Sequence, residues 1–214
     1  MNNYASDFHG VAVTKKIVLL PFSALPQEFR AGATAMKREI YTQLQRMGYQ
    51  SVFLNEENYE NLWNSAVGKV GGLYDSKTGN FKPQAYVEAM KILAVNIASE
   101  VEYSVLIVPN FVVKRAKVSG KFVSWDGVYR DYLMKNQTYN SYSFHGETKG
   151  LSLELRAFSS DGAWLFNSYG GVSLPYEVNM EEAKHEMRDK LFESREEIEE
   201  GVRLALSALR PREQ

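Results

Sequence analysis

The chain contains no cysteine. Disulfides, thiolate nucleophiles and cysteine-type zinc sites are therefore excluded together. Charge of one sign is also missing, since 25 Lys and Arg stand against 26 Asp and Glu. That balance argues against nucleic acid as a partner, because neutralising phosphates needs a basic excess or a basic face. No apolar run approaches the roughly 20 residues a membrane-spanning helix requires. The opening MNNYASDFHG has neither a basic n-region nor an apolar h-region. A cytoplasmic protein and one that follows a removed leader both fit this start. Only three histidines occur, His9, His145 and His185, and no GxSxG, HExxH or strand-borne GxGxxG accompanies them.

What is present is enough for a core: hydrophobic residues make up 44% and charged residues 24% of 214. The organising stretch is Glu102 to Val128. Val105, Leu106, Ile107, Val108, Phe111, Val112 and Val113 have the composition of a central strand, with a turn expected at Ser119-Gly120 and a return through Trp125. Upstream, residues 1–14 read as a flexible segment. Lys15 to Phe22 reads as a strand, and Ala33 to Met47 as a helix with Met36, Ile40 and Leu44 on one face and Gly48 beyond its end. Tyr49 to Leu54 follows as a strand, then a short helix opened by Asn55. Pro83 suits a helix first turn, with Val87, Met90, Ala94, Ile97 and Val101 as its inward face.

Downstream, residues 130–150 form a Tyr-rich excursion without a clear period. Leu151, Leu153, Leu155 and Ala157 alternate with polar residues as a half-buried strand turned by Ser160-Asp161-Gly162. Gly170-Gly171 is expected to bulge the returning strand. The tail reads as two charged helical segments. Ser194 and Glu197 form a capping box for the second, whose apolar face is Ile198, Val202, Ala205, Leu206 and Leu209.

Several chemical motifs fail on inspection. Gly68 to Gly72 lacks the GK[ST] ending of a phosphate loop. Asp75 to Asn80 lacks the alternating acids and distal Glu of a calcium loop. His185 and Glu181 have no third ligand at fixed spacing. Glu196, Glu197, Glu199 and Glu200 match a helix dipole. The pairs Asp126 with Asp131 and Asp161 with Glu154 have no cleft signature. No catalytic, cofactor or metal residue is assigned. The expected partner surface is the hairpin tip, Ser119 and Gly120, with Tyr132, Tyr139, Tyr142 and Phe144 as aromatic anchors. Lys114, Arg115 and Lys117 would steer an acidic partner. The other reading has the tyrosines covering the sheet and the basic strip as a solvated edge that discourages pairing.

The segment Ile17-Val18-Leu19-Leu20-Pro21-Phe22, a helix, then Gly48-Tyr49-Gln50-Ser51-Val52 resembles the opening of a group of bacterial envelope domains. The group includes the amino-terminal domain of the Tol-Pal translocation protein, the curli secretion channel lipoprotein and lipoproteins that activate peptidoglycan synthases. The likeness extends over roughly Lys15 to Val178, through Glu102-Tyr103 and the Asp161-Gly162 turn. Pro109 and the long Tyr-rich segment depart from the pattern, and there is no lipobox cysteine. The residues read as one α+β domain over 15–210 with a long hairpin and a carboxy-terminal helix, and the resemblance implies a small mixed sheet with helices on one face. It implies a non-enzymatic accessory lipoprotein, periplasmic and tethered to the outer membrane, docking onto an envelope assembly as monomer or oligomer. The alternatives are a periplasmic small-molecule binding module, a hydrolase with a spatially assembled site, or a cytoplasmic location.

Overall fold

Lys16 to Leu20 has no polar alternation, and Ile17, Val18, Leu19 and Leu20 are all buried. A strand of that kind needs cover on both faces. The computed structural model describes residues 2–22, 25, 27–132, 145–179, 184–188 and 191–211. It contains β1 (Asn3–Tyr4), β2 (Lys16–Leu19), α1 (Gln27–Arg46), β3 (Gln50–Phe53), α2 (Glu56–Lys69), α3 (Pro83–Glu100) and β4 (Val105–Ser119). There follow β5 (Phe122–Trp125), β6 (Val128–Asp131), β7 (His145–Ser159), β8 (Trp164–Ser173), β9 (Tyr176–Asn179), β10 (Lys184–Met187) and α4 (Arg195–Leu206). The main sheet runs β1-β8-β7-β4-β2-β3, with β5 added to β4 and β6 to β5; β9 and β10 pair separately.

The fold is α+β with a mixed sheet: β2 is parallel to β3 and β4, while β4, β7, β8 and β1 are antiparallel in turn. The expectation of helices on one face is corrected. Ile17, Leu19, Val105 and Ile107 pack with α1 and α4, whereas Val18, Leu20, Leu106 and Val108 pack with α2 and α3. The topology requires this. From β2 the chain crosses to β3 on one side, and from β3 it crosses back to β4 on the other. Right-handed crossovers running in opposite directions place their helices on opposite faces.

Pro109 fits a central strand because of where β2 ends. Ile107 O accepts from Leu20 N, so the ring nitrogen two residues on faces the same side, past the last β2 pairing. From there to Ala116 that side of β4 carries no strand among the described residues, and β5 joins at Lys117.

Four further expectations change. The two-residue turn is Gly120-Lys121, one step later than expected, since Ser119 pairs with Phe122. Val87 is exposed; α3 turns Ala89, Met90, Leu93, Ala94 and Ile97 inward instead. The first charged segment of the tail contains strand β10 paired with β9; a short charged segment is marginal as a helix in water, and the neighbouring strand supplies backbone partners. Residues before 15 contribute strand β1 and the buried side chains Phe8 and Val11, whose isolated positions in a polar stretch carry no period. Tyr49 Oη donates to Val11 O at 2.7 Å and lies 3.1 Å from Leu209 O, joining both ends of the chain to β3.

The remaining devices appear as read. Asn55 caps α2 through Asn58 N, Ser194 caps α4 through Glu197 N, and Gly48 takes a φ of +85° beyond α1. The β7–β8 register shifts twice, once beside Gly171. At that point helix and sheet touch backbone to backbone: a Cβ on Gly170 would stand 1.9 Å from Gly201 O.

Candidate binding faces

Beyond β2 the sheet continues as a separate lobe. Asp126 and Gly127, with φ of +36° and +85°, make the two-residue turn that joins β5 to β6. The β5–β6 ribbon then curls over β7 and β8, where Gly171 N donates to Asp126 O. Trp125 lies flat on Gly150, whose Cβ would overlap the indole, and its Nε1 donates to Leu151 O at 3.3 Å. Ala116, Val118, Val123, Val128, Leu174 and Tyr132 fill the interior.

Strand alternation sorts the sequence-predicted residues. Arg115 and Lys117 point out of this lobe, beside Glu147 and Lys149 of β7. Lys114 points to the opposite face, where its Nζ stands 3.6 Å from the centroid of the Tyr169 ring. Ser119 is exposed at the tip and Gly120 turns the chain with φ +63°. Tyr132 is corrected as an anchor: only 3% exposed, it belongs to the lobe's core. Tyr139, Tyr142 and Phe144 lie outside the described residues. Sequence reading missed the anchors the fold does expose, Val113, Phe122 and Tyr129, the last 74% exposed. Their signal was present: with Val123 and Trp125 inward, alternation sends Phe122 outward, and the Asp126-Gly127 turn repeats the pattern on β6.

The outward face of the lobe therefore carries Val113, Phe122 and Tyr129 among Arg115, Lys117 and Lys149. Arg115 and Glu147 make a 3.8 Å ion pair so exposed that solvent screens most of its worth. A cavity of about 430 Å³ opens beside it between Arg115, Glu147, Thr148, Lys149 and Tyr176.

Three other polar arrangements were weighed for chemistry. Arg130, 8% exposed, reaches Glu200 at 2.7 Å and Glu197 at 3.4 Å, fastening β6 to the start of α4. A cleft of about 620 Å³ between α1 and α4 mixes Arg46, Arg203 and Arg210 with Glu196, Glu199 and Glu200. The arginines sit in or beyond the last helical turns and the glutamates early in α4, as helix dipoles favour. On the sheet face left open by α3, Tyr169 Oη donates to Glu154 at 3.0 Å and Arg156 Nη1 to Tyr86 Oη at 2.9 Å. Burial raises the Tyr169 and Tyr86 hydroxyls above their ordinary range, so both remain protonated donors at neutral pH. Among the described residues no group of His, Asp and Glu is arranged to hold a metal, and no helix is long and apolar enough to cross a membrane. No protein-family model, curated protein or solved structure matches the chain.

Proposed function

We propose that this domain is a non-enzymatic accessory module of a bacterial envelope assembly, and that it docks an acidic protein segment on the outward face of its β4–β7 lobe. The observation that carries the reading is the exposure of Phe122 and Tyr129 beside Arg115, Lys117 and Lys149 on a ribbon whose own core is already filled. Aromatic residues supply the affinity of an interface, and basic neighbours steer an acidic partner towards it. The side of β4 between Pro109 and Lys117, which pairs with no strand among the described residues, adds backbone donors and acceptors beside the same face. Asn110 Oδ1 already occupies one of these donors, Phe111 N. The envelope setting comes from the resemblance of the strand–helix–strand opening.

The test is capture from detergent-solubilised bacterial envelope by wild type and by the double variant Phe122→Ala, Tyr129→Ala. Both side chains are exposed, so the melting temperature should move little while the specific partner is lost. A variant that melts like wild type and retains every co-purifying protein would refute the docking face.

A further inference from the structure

The pairing of β4 with β7 runs in unbroken register from Val105 to Ser119, so backbone direction alternates along β4 without a slip. Ile107 O faces β2, where it accepts from Leu20 N, and the odd-numbered residues after it turn their backbone groups the same way. β5 takes up that side again at Lys117, opposite Ser124. From Pro109 to Ala116 this side is a bay about 27 Å long, at about 3.4 Å per residue.

The groups aimed into the bay are the carbonyls of Pro109 and Phe111, and both the N–H and the carbonyl of Val113 and of Arg115. None of them has a hydrogen-bond partner among the described residues, whereas Phe111 N–H donates to Asn110 Oδ1 at 2.9 Å. Phe22 and Phe192 pack on the Phe111 ring and narrow the near end. Val113, 54% exposed, and Arg115 form the open part. Backbone groups that repeat at every second residue are matched by another extended backbone, the geometry of strand addition.

The side chains around the bay select the charge of what enters. Arg115 and Lys117 stand on one face of β4 and Lys114 on the other. Successive side chains of an added strand would therefore meet a cation whichever way they point. A second copy of this chain is the disfavoured occupant. Antiparallel pairing of two such bays would bring the same three cations of both copies together, and like charges directly opposite are destabilising. The lysines that discourage pairing with a like edge thus admit an acidic one.

We propose that an extended acidic segment of a protein partner adds to β4 as a strand in this bay, spanning Phe111 to Arg115. The proposal rests on the docking face described above and specifies how the partner is held there. The partner's backbone pairs with the Phe111 carbonyl and with both groups of Val113 and Arg115. Its acids meet Arg115, Lys117 and Lys114, and an apolar side chain lies beside Val113.

The experiment follows amide hydrogen exchange of Val113 and Arg115 in the full-length, nitrogen-15-labelled chain. Three probes are titrated: an alternating Glu-Val heptapeptide, the same peptide N-methylated at every residue, and an alternating Lys-Val heptapeptide. Both amides should exchange fast in the chain alone. The Glu-Val peptide should slow them about tenfold when about nine-tenths of the chain is bound, since only the unbound tenth exchanges. The other two peptides should leave them fast. Val113→Pro removes a donor aimed into the bay and no bond to β7, as Pro109 does, and should weaken the Glu-Val peptide about tenfold. If that variant melts well below wild type, exchange in the wild-type chain decides alone. Slow exchange in the chain without peptide, equal protection by the N-methylated or Lys-Val peptide, or no response at millimolar Glu-Val peptide would each overturn strand addition. Shifted signals of Phe122 and Tyr129 with Val113 and Arg115 still exchanging fast would overturn it too, and would leave the docking face standing. Envelope capture by the Phe122→Ala, Tyr129→Ala variant judges that face by itself.

Discussion

Replacing Gly170 by alanine should open the helix–sheet contact that fixes α4. The added Cβ would stand 1.9 Å from Gly201 O, 2.8 Å from Gly201 C and 3.0 Å from Ala205 N. All three are backbone atoms, so no side chain can swing aside. To reach an ordinary contact of 3.4 Å the helix must recede by roughly 1.5 Å. Ile198, Val202 and Leu206 are the large side chains α4 buries, each worth about 1.5–3 kcal/mol when fully buried. A radial gap of 0.5–1 Å already forfeits about a quarter to a half of the contact energy, so about 3 kcal/mol is expected to be lost. The bonds from Ser168 Oγ to Ala205 O and from Gln43 Nε2 to Glu199 O, at 2.7 and 2.8 Å, would stretch with it. In a domain of this size that loss lowers Tm by roughly 6–12 °C. Urea melts of Gly170→Ala and of Gly68→Ala make the comparison. Gly68 sits in α2 with nothing near its would-be Cβ, so alanine there should stabilise by up to about 1 kcal/mol. A Gly170→Ala loss under about 0.5 kcal/mol would mean α4 is not seated as described.

Two further outcomes are expected. Tyr103 donates to Ala94 O at 2.8 Å, and its hydroxyl is raised well above the ordinary tyrosine range, first by burial and then by the Asp161 charge. A raised folded-state value contributes stability that is complete below about pH 10 and lost as pH climbs through the folded value. Tyr103→Phe should thus cost about 1 kcal/mol at pH 7 and weaken the alkaline fall in urea-melt stability above pH 10; an identical fall would remove Tyr103 as its cause. Ile107→Ala, at a fully buried position of β4, should cost about 2–5 kcal/mol in the same melts, and under half a kcal/mol would contradict its place in the core.

Local patterns were legible in the chain wherever one residue sufficed to decide a backbone step. Asn55 and Ser194 as caps, Gly48 after α1, Pro83 at the start of α3 and the alternation of Leu151, Leu153 and Leu155 all sit where their side chains or torsions demand. The apolar face of α4 was legible for the same reason, since spacing along a helix fixes direction before any partner is known. Helix placement was not legible in this way, because the face each helix covers depends on strand order, and strand order depends on the direction of each crossover. The site residues divide on the same ground. Arg115 and Lys117 share an outward face while Lys114 leaves it, a consequence of two-residue alternation that was available in the sequence. Tyr132 could not be placed in advance: what buries it is the ribbon curling back over Gly150 and Gly171, glycines whose missing side chains make room for Trp125.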